Sequence, residues 1–258
     1  MALRALAREA ALSALGRLRR PAPGMHILNA HYVSRSESSA SVFRRQLEQL
    51  SRYGELVRVE AAIQRRLSRE MPDKALFAFT FDDGFAECHS IIAPVLEEFG
   101  VNGAFFINPG FVGGDAAYID EFLTERVATP GKTPMTWEQI RDLESRGHVI
   151  GAHTIDHIRL VVGDDNAIER QVVRCRAVIE SEIERPCRFF AWPYGRLRDI
   201  SLQARAAALE AYDVLFASDK YADESQLQPR ILNRRHCEGD WPIEHLRYFL
   251  SKPPYGHE

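Results

Sequence analysis

The middle of the chain alternates between short apolar runs and longer segments of helical pattern, and this alternation limits the fold more than any other feature. The apolar runs have the length of buried strands, and the segments between them have the apolar spacing of helices. Strand–helix units in series predict a parallel sheet covered by helices. About seven units occur, which predicts a closed or nearly closed α/β barrel. The runs interpreted as strands are residues 25–33, 75–81, 101–107, 148–152, 187–191, 214–217 and 231–233.

Length and composition agree with one globular α/β domain. The 258 residues are 45% hydrophobic and 27% charged, which is ordinary for such a domain. The net charge of −3 gives no reason to expect nucleic acid as a partner. The four cysteines form no Cys-x-x-Cys pair, and free thiols are predicted. No apolar stretch reaches about 18 residues, so no membrane span is predicted.

The first 20 residues are rich in Ala, Leu and Arg, and they lack the uninterrupted apolar core of a signal peptide. An amphipathic helix is predicted there, either packed on the domain or frayed, or alternatively in contact with a membrane surface. We therefore expect a cytoplasmic protein that only this helix could bring to a membrane. The expected organisation is a helical extension (1–24), a single barrel domain (25–252) and a short tail (253–258).

Two adjacent carboxylates follow the second long apolar run, in the segment Thr80-Phe81-Asp82-Asp83-Gly84. Side by side at the end of a buried strand, they repel each other, and burial disfavours both charges. A metal cation removes this conflict, because it can bind one carboxylate and hold the other near its bound water. The alternative without chemistry is an N-cap Asp with an Asp-Gly turn before the next helix.

Two histidines four residues apart follow another apolar run, in the segment His153-Thr154-Ile155-Asp156-His157. This spacing places both imidazoles on one side of a helical turn or a tight loop, where both can reach one ion. One Asp and two His leave a fourth position open for water, as in catalytic zinc sites. The pair therefore favours the metal interpretation of the two carboxylates.

These segments resemble the first two motifs of the polysaccharide deacetylases, the NodB-homology group or carbohydrate esterase family 4. The segment Phe190-Ala191-Trp192-Pro193-Tyr194-Gly195 resembles the third motif. The three occur in the family's order, each behind a predicted strand, within a resemblance that extends from Met25 to Leu250. The resemblance implies a distorted (β/α)7 barrel, with the chemistry at the carboxyl ends of the strands.

The resemblance also implies a metal-dependent hydrolase that removes N-acetyl groups from an amino sugar polysaccharide or oligosaccharide by attack of metal-bound water. It makes Asp82 the general base and Asp83, His153 and His157 the metal ligands. These ligand types favour zinc, with cobalt or nickel as alternatives.

The third motif supplies the substrate side of the implied site. The backbone N–H of Tyr194 stabilises the oxyanion together with the metal, and Pro193 belongs to the substrate-binding residues. Trp192 is interpreted either as a surface on which a sugar ring stacks or as core packing at the barrel rim.

The sequence departs from the family pattern just before the third motif. The family places there an Arg that orients the base, but this chain has Ala191-Trp192. The candidates for the missing charge are Arg188, Arg230, Arg234 and Arg235.

The leaving amine also needs a general acid. His236 is our candidate, with a surface histidine as the alternative, and Asp219 is the candidate for the carboxylate that holds the acid. His31, near the end of the first predicted strand, is either a substrate-side residue or a histidine of the rim.

Two alternatives to N-deacetylation remain open. One is a hydrolase that cleaves another non-peptide carbon–nitrogen amide bond at the same site. The other is a non-catalytic barrel that binds glycan. The missing Arg favours the second alternative, whereas the intact Asp-Asp and His-His pairs oppose it, because a binding module needs no open metal site.

Overall fold

The computed structural model describes residues 2–34, 39–161, 164–219 and 228–254, with side chains from residue 6 onward. The last four residues of the expected tail lie outside these ranges. All strands within these ranges belong to one sheet in which every pairing is parallel. The strands are β1 (Gly24–Ala30), β2 (Glu55–Leu56), β3 (Ala75–Phe81), β4 (Gly103–Ile107), β5 (Val149–Ala152), β6 (Phe189–Ala191), β7 (Val214–Ala217), β8 (Ile231–Asn233) and β9 (Arg235–His236).

The sheet closes into a barrel through one extended stretch near the carboxyl end of the chain. The strand order is β8-β7-β6-β5-β4-β3-β1-β9, with β2 paired only to β3. Because β8 and β9 are interrupted only at Arg234, the stretch 231–236 pairs with β7 on one side and with β1 on the other. Counting that stretch once and leaving out β2 gives seven barrel positions. The expected (β/α)7 barrel is confirmed.

Helices surround the barrel and follow the predicted alternation. Several contain π-helical turns, at Cys88–Ile92, Phe122–Arg126 and Glu169–Arg174, so the helical segments between β3 and β4 and between β5 and β6 are composite. The α-helices are α1 (Ala2–Arg17), α2 (Ala40–Ser51), α3 (Val59–Leu67), α4 (Ala93–Glu98), α5 (Pro109–Val112), α6 (Ala116–Glu121), α7 (Trp137–Ser145), α8 (Asp165–Ile168), α9 (Cys175–Ile183), α10 (Leu202–Ala211) and α11 (Ile243–Leu250).

Apolar side chains form two layers, one between the sheet and the helices and one inside the barrel. Successive side chains of a strand point to opposite faces, so each strand contributes to both layers. The buried cysteines, all free as expected, lie in the outer layer. The inner cluster includes Met25 and Ile27 of β1, Leu76 and Ala78 of β3, Phe106 of β4, Phe216 of β7 and Leu232 of β8.

The same alternation, continued past these apolar residues, places polar side chains inside the carboxyl end of the barrel. Arg234 and His236 continue the inward face from Leu232, and Asp82 continues it from Ala78 through Thr80. His31, the first residue after β1, follows Met25, Ile27 and Asn29 on that face. The barrel therefore directs residues from several strands to one end, as expected for this fold.

The N-terminal helix α1 packs against α11. Ser13 Oγ lies 3.2 Å from His245 Nε2, and Arg247 donates hydrogen bonds to the carbonyls of Arg17 and Arg19. Gly16 permits this approach, because a Cβ there would lie 1.8 Å from the carbonyl oxygen of Glu244. The helix therefore packs on the domain, and the interpretation as a membrane-surface helix has no support. Within the described residues, no helix is both long and apolar enough to cross a bilayer.

Candidate active site

Three buried side chains meet above the ends of β3 and β5. Asp83 follows β3 with a left-handed φ of 72°, which Gly84 continues at 80°. His153 follows β5 directly, and His157 ends the next loop with φ 51°. Asp83 Oδ1 lies 3.6 Å from His153 Nε2 and 3.3 Å from His157 Nε2. Non-glycine residues in the left-handed region cost about 1–3 kcal/mol each and concentrate at functional sites.

The three side chains suit a divalent cation. Asp83 Oδ1 is buried and accepts no hydrogen bond from the described residues. His153 Nδ1 donates to the carbonyl of Ala191 at 2.7 Å, which leaves the lone pair of Nε2 directed at the carboxylate. Two acceptors facing each other in a buried site repel, and a cation between them satisfies both.

The electrostatics of the cluster agree with this fit. Burial lowers the pKa of His153 to about 4 and lowers the pKa of His157 well below its ordinary value, so both imidazoles are neutral, as metal ligation requires. Burial also raises the pKa of the Asp83 carboxyl to about 7. A carboxylate in this position needs a nearby positive charge to stay ionised at neutral pH.

Asp82 has such a charge, because Arg234 reaches it from across the barrel. Arg234 Nη1 donates to Asp82 Oδ1 at 2.8 Å and Nη2 donates to Oδ2 at 2.9 Å. The guanidinium carbon lies 5.1 Å from the ring centroid of Phe106 and 5.8 Å from that of Phe216. Burial alone would raise the pKa of Asp82, but Arg234 holds it well below the usual range, with a smaller contribution from His153. The carboxylate is therefore ionised and fixed in orientation.

Of the four arginines proposed to replace the missing family Arg, only Arg234 forms a hydrogen bond with Asp82 among the described contacts. Arg188 pairs with Asp213 at the surface, and Arg230 donates to the carbonyls of Leu209 and Tyr212. The signal in the sequence is the period of two from Leu232, which places residue 234 inside the barrel.

A second pair lies at the end of β1. His31 Nδ1 is 2.9 Å from Glu238 Oε1, and the backbone N–H of His31 donates to Oε2 at 3.1 Å. Burial would lower the pKa of His31, but the Glu238 carboxylate raises it to about 10. The sequence allowed two interpretations of His31. It gave no indication of Glu238, because this contact joins residues 207 positions apart in the chain.

The expected acid, His236, lies beside this pair but is held less firmly. Its Nε2 is 3.5 Å from Glu238 Oε1, and its ring centroid is 5.4 Å from that of His31. Burial lowers the pKa of His236. Asp219, the carboxylate expected to hold the acid, accepts a hydrogen bond from the backbone N–H of Leu197 at 2.9 Å. The carboxylate that binds a histidine here is Glu238.

The two aspartates of the first motif, the four histidines described above and Glu238 line one cavity of about 570 Å³, which we call the catalytic cavity. Tyr194 lies at its rim, 44% exposed, with φ 65° and with the Arg159 guanidinium carbon 4.0 Å from its ring centroid. The cavity is lined by Asp82, Asp83, His153, His157, His31 and Glu238 together with Tyr194, Gly195, Arg196, Ser218, His236 and Trp241.

Trp192 is placed differently from the stacking surface that its position suggested. It has no exposed surface, and its Nε1–H donates to the carbonyl of Arg196 at 3.0 Å. The alternative interpretation, core packing at the rim, describes it correctly. Pro193 is buried as well and shapes the turn that presents Tyr194. The tryptophan that does line the cavity is Trp241, which no motif marks.

Comparison with known proteins gives a consistent result. Residues 69–211 match the model of the polysaccharide deacetylase family. YxkH of Bacillus subtilis (strain 168), which is named as a polysaccharide deacetylase, is 22% identical over 152 residues, or 59% of this chain. The chain covers 48% of that relative, so it spans about half of its length.

Solved structures share the fold. IcaB from Ammonifex degensii superposes with a TM-score of 0.70 at 21% identity, over 91% of this chain and 100% of that chain. The Streptococcus pyogenes deacetylase PplD superposes with a TM-score of 0.68 at 16% identity, over 88% of this chain and 99% of that chain. With the family model matching more than half of its length, the chain belongs to the polysaccharide deacetylases, a family of hydrolases that act on carbon–nitrogen bonds other than peptide bonds.

Proposed function

We propose that this protein is a metal-dependent deacetylase that removes the N-acetyl group from an amino sugar in a polysaccharide or oligosaccharide. The observation that carries the proposal is the buried Asp83 oxygen faced by two histidine Nε2 atoms, in a cavity that is also lined by Asp82, the carboxylate paired with Arg234. A binding module would have no use for either arrangement.

Asp83, His153 and His157 would hold the cation, with zinc favoured by the ligand types and cobalt or nickel as alternatives. The chemistry that such a cation supplies is that of a Lewis acid, which acidifies water and polarises a carbonyl oxygen. The carbonyl of Ala191 fixes His153 for this role, because its hydrogen bond keeps the proton on Nδ1 and the lone pair on Nε2.

Asp82 is the proposed general base. Arg234 keeps it ionised and holds both of its oxygens in place, while each oxygen retains a lone pair that can accept a proton from the attacking water. Arg234 therefore acts as a positioning residue, and it takes the part that the resemblance assigned to an Arg of the third motif.

His31 is the proposed general acid, in place of His236. Its Nδ1–H donates to Glu238, which leaves Nε2 to carry the proton that the leaving amine requires. Glu238 favours the protonated imidazole, so the acid is charged at neutral pH. His236 shares the same carboxylate and is the alternative acid.

The remaining groups would bind substrate. The backbone N–H of Tyr194 is the proposed donor to the developing oxyanion, and the left-handed turn formed with buried Pro193 sets its direction. Tyr194 and Trp241 offer aromatic faces at the cavity to an N-acetylated saccharide.

The test combines metal analysis of the purified protein with acetate release from N-acetylated oligosaccharides, with and without a chelator. We expect about one metal ion per chain and acetate release that the chelator abolishes and added zinc restores. Asp82→Asn should keep the metal and lose turnover, whereas the matched change at an exposed site, Asp73→Asn, should leave both unchanged.

The other outcomes separate the alternatives. Bound metal without acetate release would indicate another amide substrate. The third outcome is a protein that binds oligosaccharide but, after reloading with zinc, cobalt and nickel, neither holds metal nor turns over substrate. Such a protein would be a glycan-binding barrel, and the proposal would be wrong.

A further inference from the structure

A second cavity, of about 680 Å³, opens directly beside the catalytic cavity. The two share Arg196, Ser218, His236 and Trp241 in their walls. A saccharide whose reacting sugar occupies the catalytic cavity can therefore extend with its neighbouring unit into the second one. Because its walls carry Arg8, Arg196, Arg198 and Arg235, we call it the arginine cleft.

The charge of the cleft is strongly one-sided. Among the described residues, its lining contains these four guanidinium groups and the inner Arg234, against one carboxylate, that of Asp219. Asp219 is engaged by the backbone N–H of Leu197. Since the whole chain carries a net charge of −3, the concentration of arginines in this cleft is not a consequence of overall composition.

Three of the arginines have their guanidinium groups available. Arg8, Arg196 and Arg198 are exposed and form no ion pair with any residue in the described ranges. Some arginines elsewhere on the surface are paired with carboxylates, as Arg44 is with Glu98 and Arg146 is with Glu97. Unpaired guanidinium groups that line a concave surface are suited to phosphate or carboxylate, which they bind through paired N–H donors.

The cleft also offers an apolar wall. Trp241 and Phe249 line it, with ring centroids 5.7 Å apart. Aromatic faces suit the apolar side of a sugar ring, so the cleft combines a surface for a sugar with donors for an anion. The helix α1 also contributes to the lining, because its packing on α11 brings Arg8 to the cleft.

We propose that the arginine cleft binds an anionic group, a phosphate or a carboxylate, on the part of the substrate next to the sugar that loses its acetyl group. The preferred substrate would then be an anionic saccharide rather than a neutral one. This inference rests on the proposed function only for the identity of the reacting group.

The test measures binding with probes that carry no N-acetyl group, so its outcome does not depend on turnover. The probes are glucose 1-phosphate, methyl glucuronide and neutral methyl glucoside, titrated by calorimetry into the full-length protein. We expect at least one anionic probe to bind about tenfold more tightly than the neutral one, with an affinity that falls as salt is added.

The variant Arg8→Gln/Arg198→Gln should abolish that tenfold preference, because both residues line the arginine cleft and neither lines the catalytic cavity. The matched control is Arg45→Gln/Arg174→Gln, which removes the same charge from two exposed arginines outside both cavities. The control should retain the preference.

Each result decides the proposal. Preference for phosphate alone or carboxylate alone supports it and identifies the anion. Equal binding of charged and neutral probes, no binding of either anion, or an unchanged preference in the Arg8/Arg198 variant would overturn it. Anion binding in a protein that releases no acetate would leave the cleft established and the proposed deacetylation refuted.

Discussion

Replacing Arg234 with Met tests the buried pair on which the proposed base depends. Both side chains of the pair are buried, with 1% of Arg234 and 4% of Asp82 exposed. Two parallel charged hydrogen bonds join them, at 2.8 and 2.9 Å. Met fills a similar length against Phe106 and Phe216 but leaves the Asp82 carboxylate buried without its partner. The expected cost is therefore that of an unpaired buried charge.

Removing one partner of a buried ion pair costs about 3–5 kcal/mol. For a domain of this size, each kcal/mol lowers the melting temperature by about 2–4 °C, so a fall of roughly 6–20 °C is expected. Thermal unfolding followed by circular dichroism measures it, with chelator present in every sample because bound metal would add its own stabilisation. Turnover should fall about 100-fold or more, because the base is no longer held.

The double variant Asp82→Asn/Arg234→Met supplies the control. It removes both charges, so its destabilisation should be smaller than the sum of the two single variants by about 2 kcal/mol. The inference that this pair stabilises the folded barrel would be refuted by either of two results. One is an unfolding free energy of Arg234→Met within about 1 kcal/mol of the wild type, and the other is strict additivity of the two single variants.

Three further predictions concern the site. His153→Gln should reduce metal content to well below one ion per chain, and retention of full occupancy would contradict its assignment as a ligand. Glu238→Gln should move the alkaline limit of the pH–rate profile to lower pH. The Glu238 carboxylate raises the pKa of His31 to about 10, and the protonated acid is lost as pH rises through that value. Without Glu238 the pKa of His31 is lower, so the acid is lost at a lower pH. An unmoved limit would exclude His31 as the acid. Trp192→Ala should destabilise the protein by about 3–5 kcal/mol, because Trp192 packs in the core. Trp241→Ala should mainly raise KM for oligosaccharides. If the two variants changed stability and KM equally, the assignment of Trp192 to the core and of Trp241 to the substrate would be wrong.

The architecture was largely predictable from local pattern. The strand–helix alternation predicted the parallel barrel and its seven positions, because buried strands of a barrel are continuous apolar runs. The stretch that closes the barrel was predicted only as a short strand at 231–233. Its second half has two paired residues, too few to carry any pattern in the sequence.

Site residues that lie in short local motifs were predictable from the sequence, whereas those that depend on contacts between distant positions were not. Asp82, Asp83, His153 and His157 were recognisable because each pair lies within one short segment behind a strand. Arg234 was one of four candidates, since its contact with Asp82 joins positions 152 apart. Trp192 was left between a stacking surface and core packing, because adjacency to a motif says nothing about the direction of a side chain, and the structure places it in the core.

Because the closing stretch 231–236 lies near the end of the chain, the proposed catalytic site can form only after most of the chain has been synthesised. The residues that match the family model end at position 211, before Arg234 has been added. A ribosome-bound or truncated chain that ends there would contain every recognisable motif and yet leave Asp82 without its partner. The last strand both seals the barrel and delivers the positive charge that the buried carboxylate needs. Activity should therefore appear only when the barrel closes. A chain truncated before this strand should be inactive rather than partially active, and it should leave the edges of β1 and β7 unpaired.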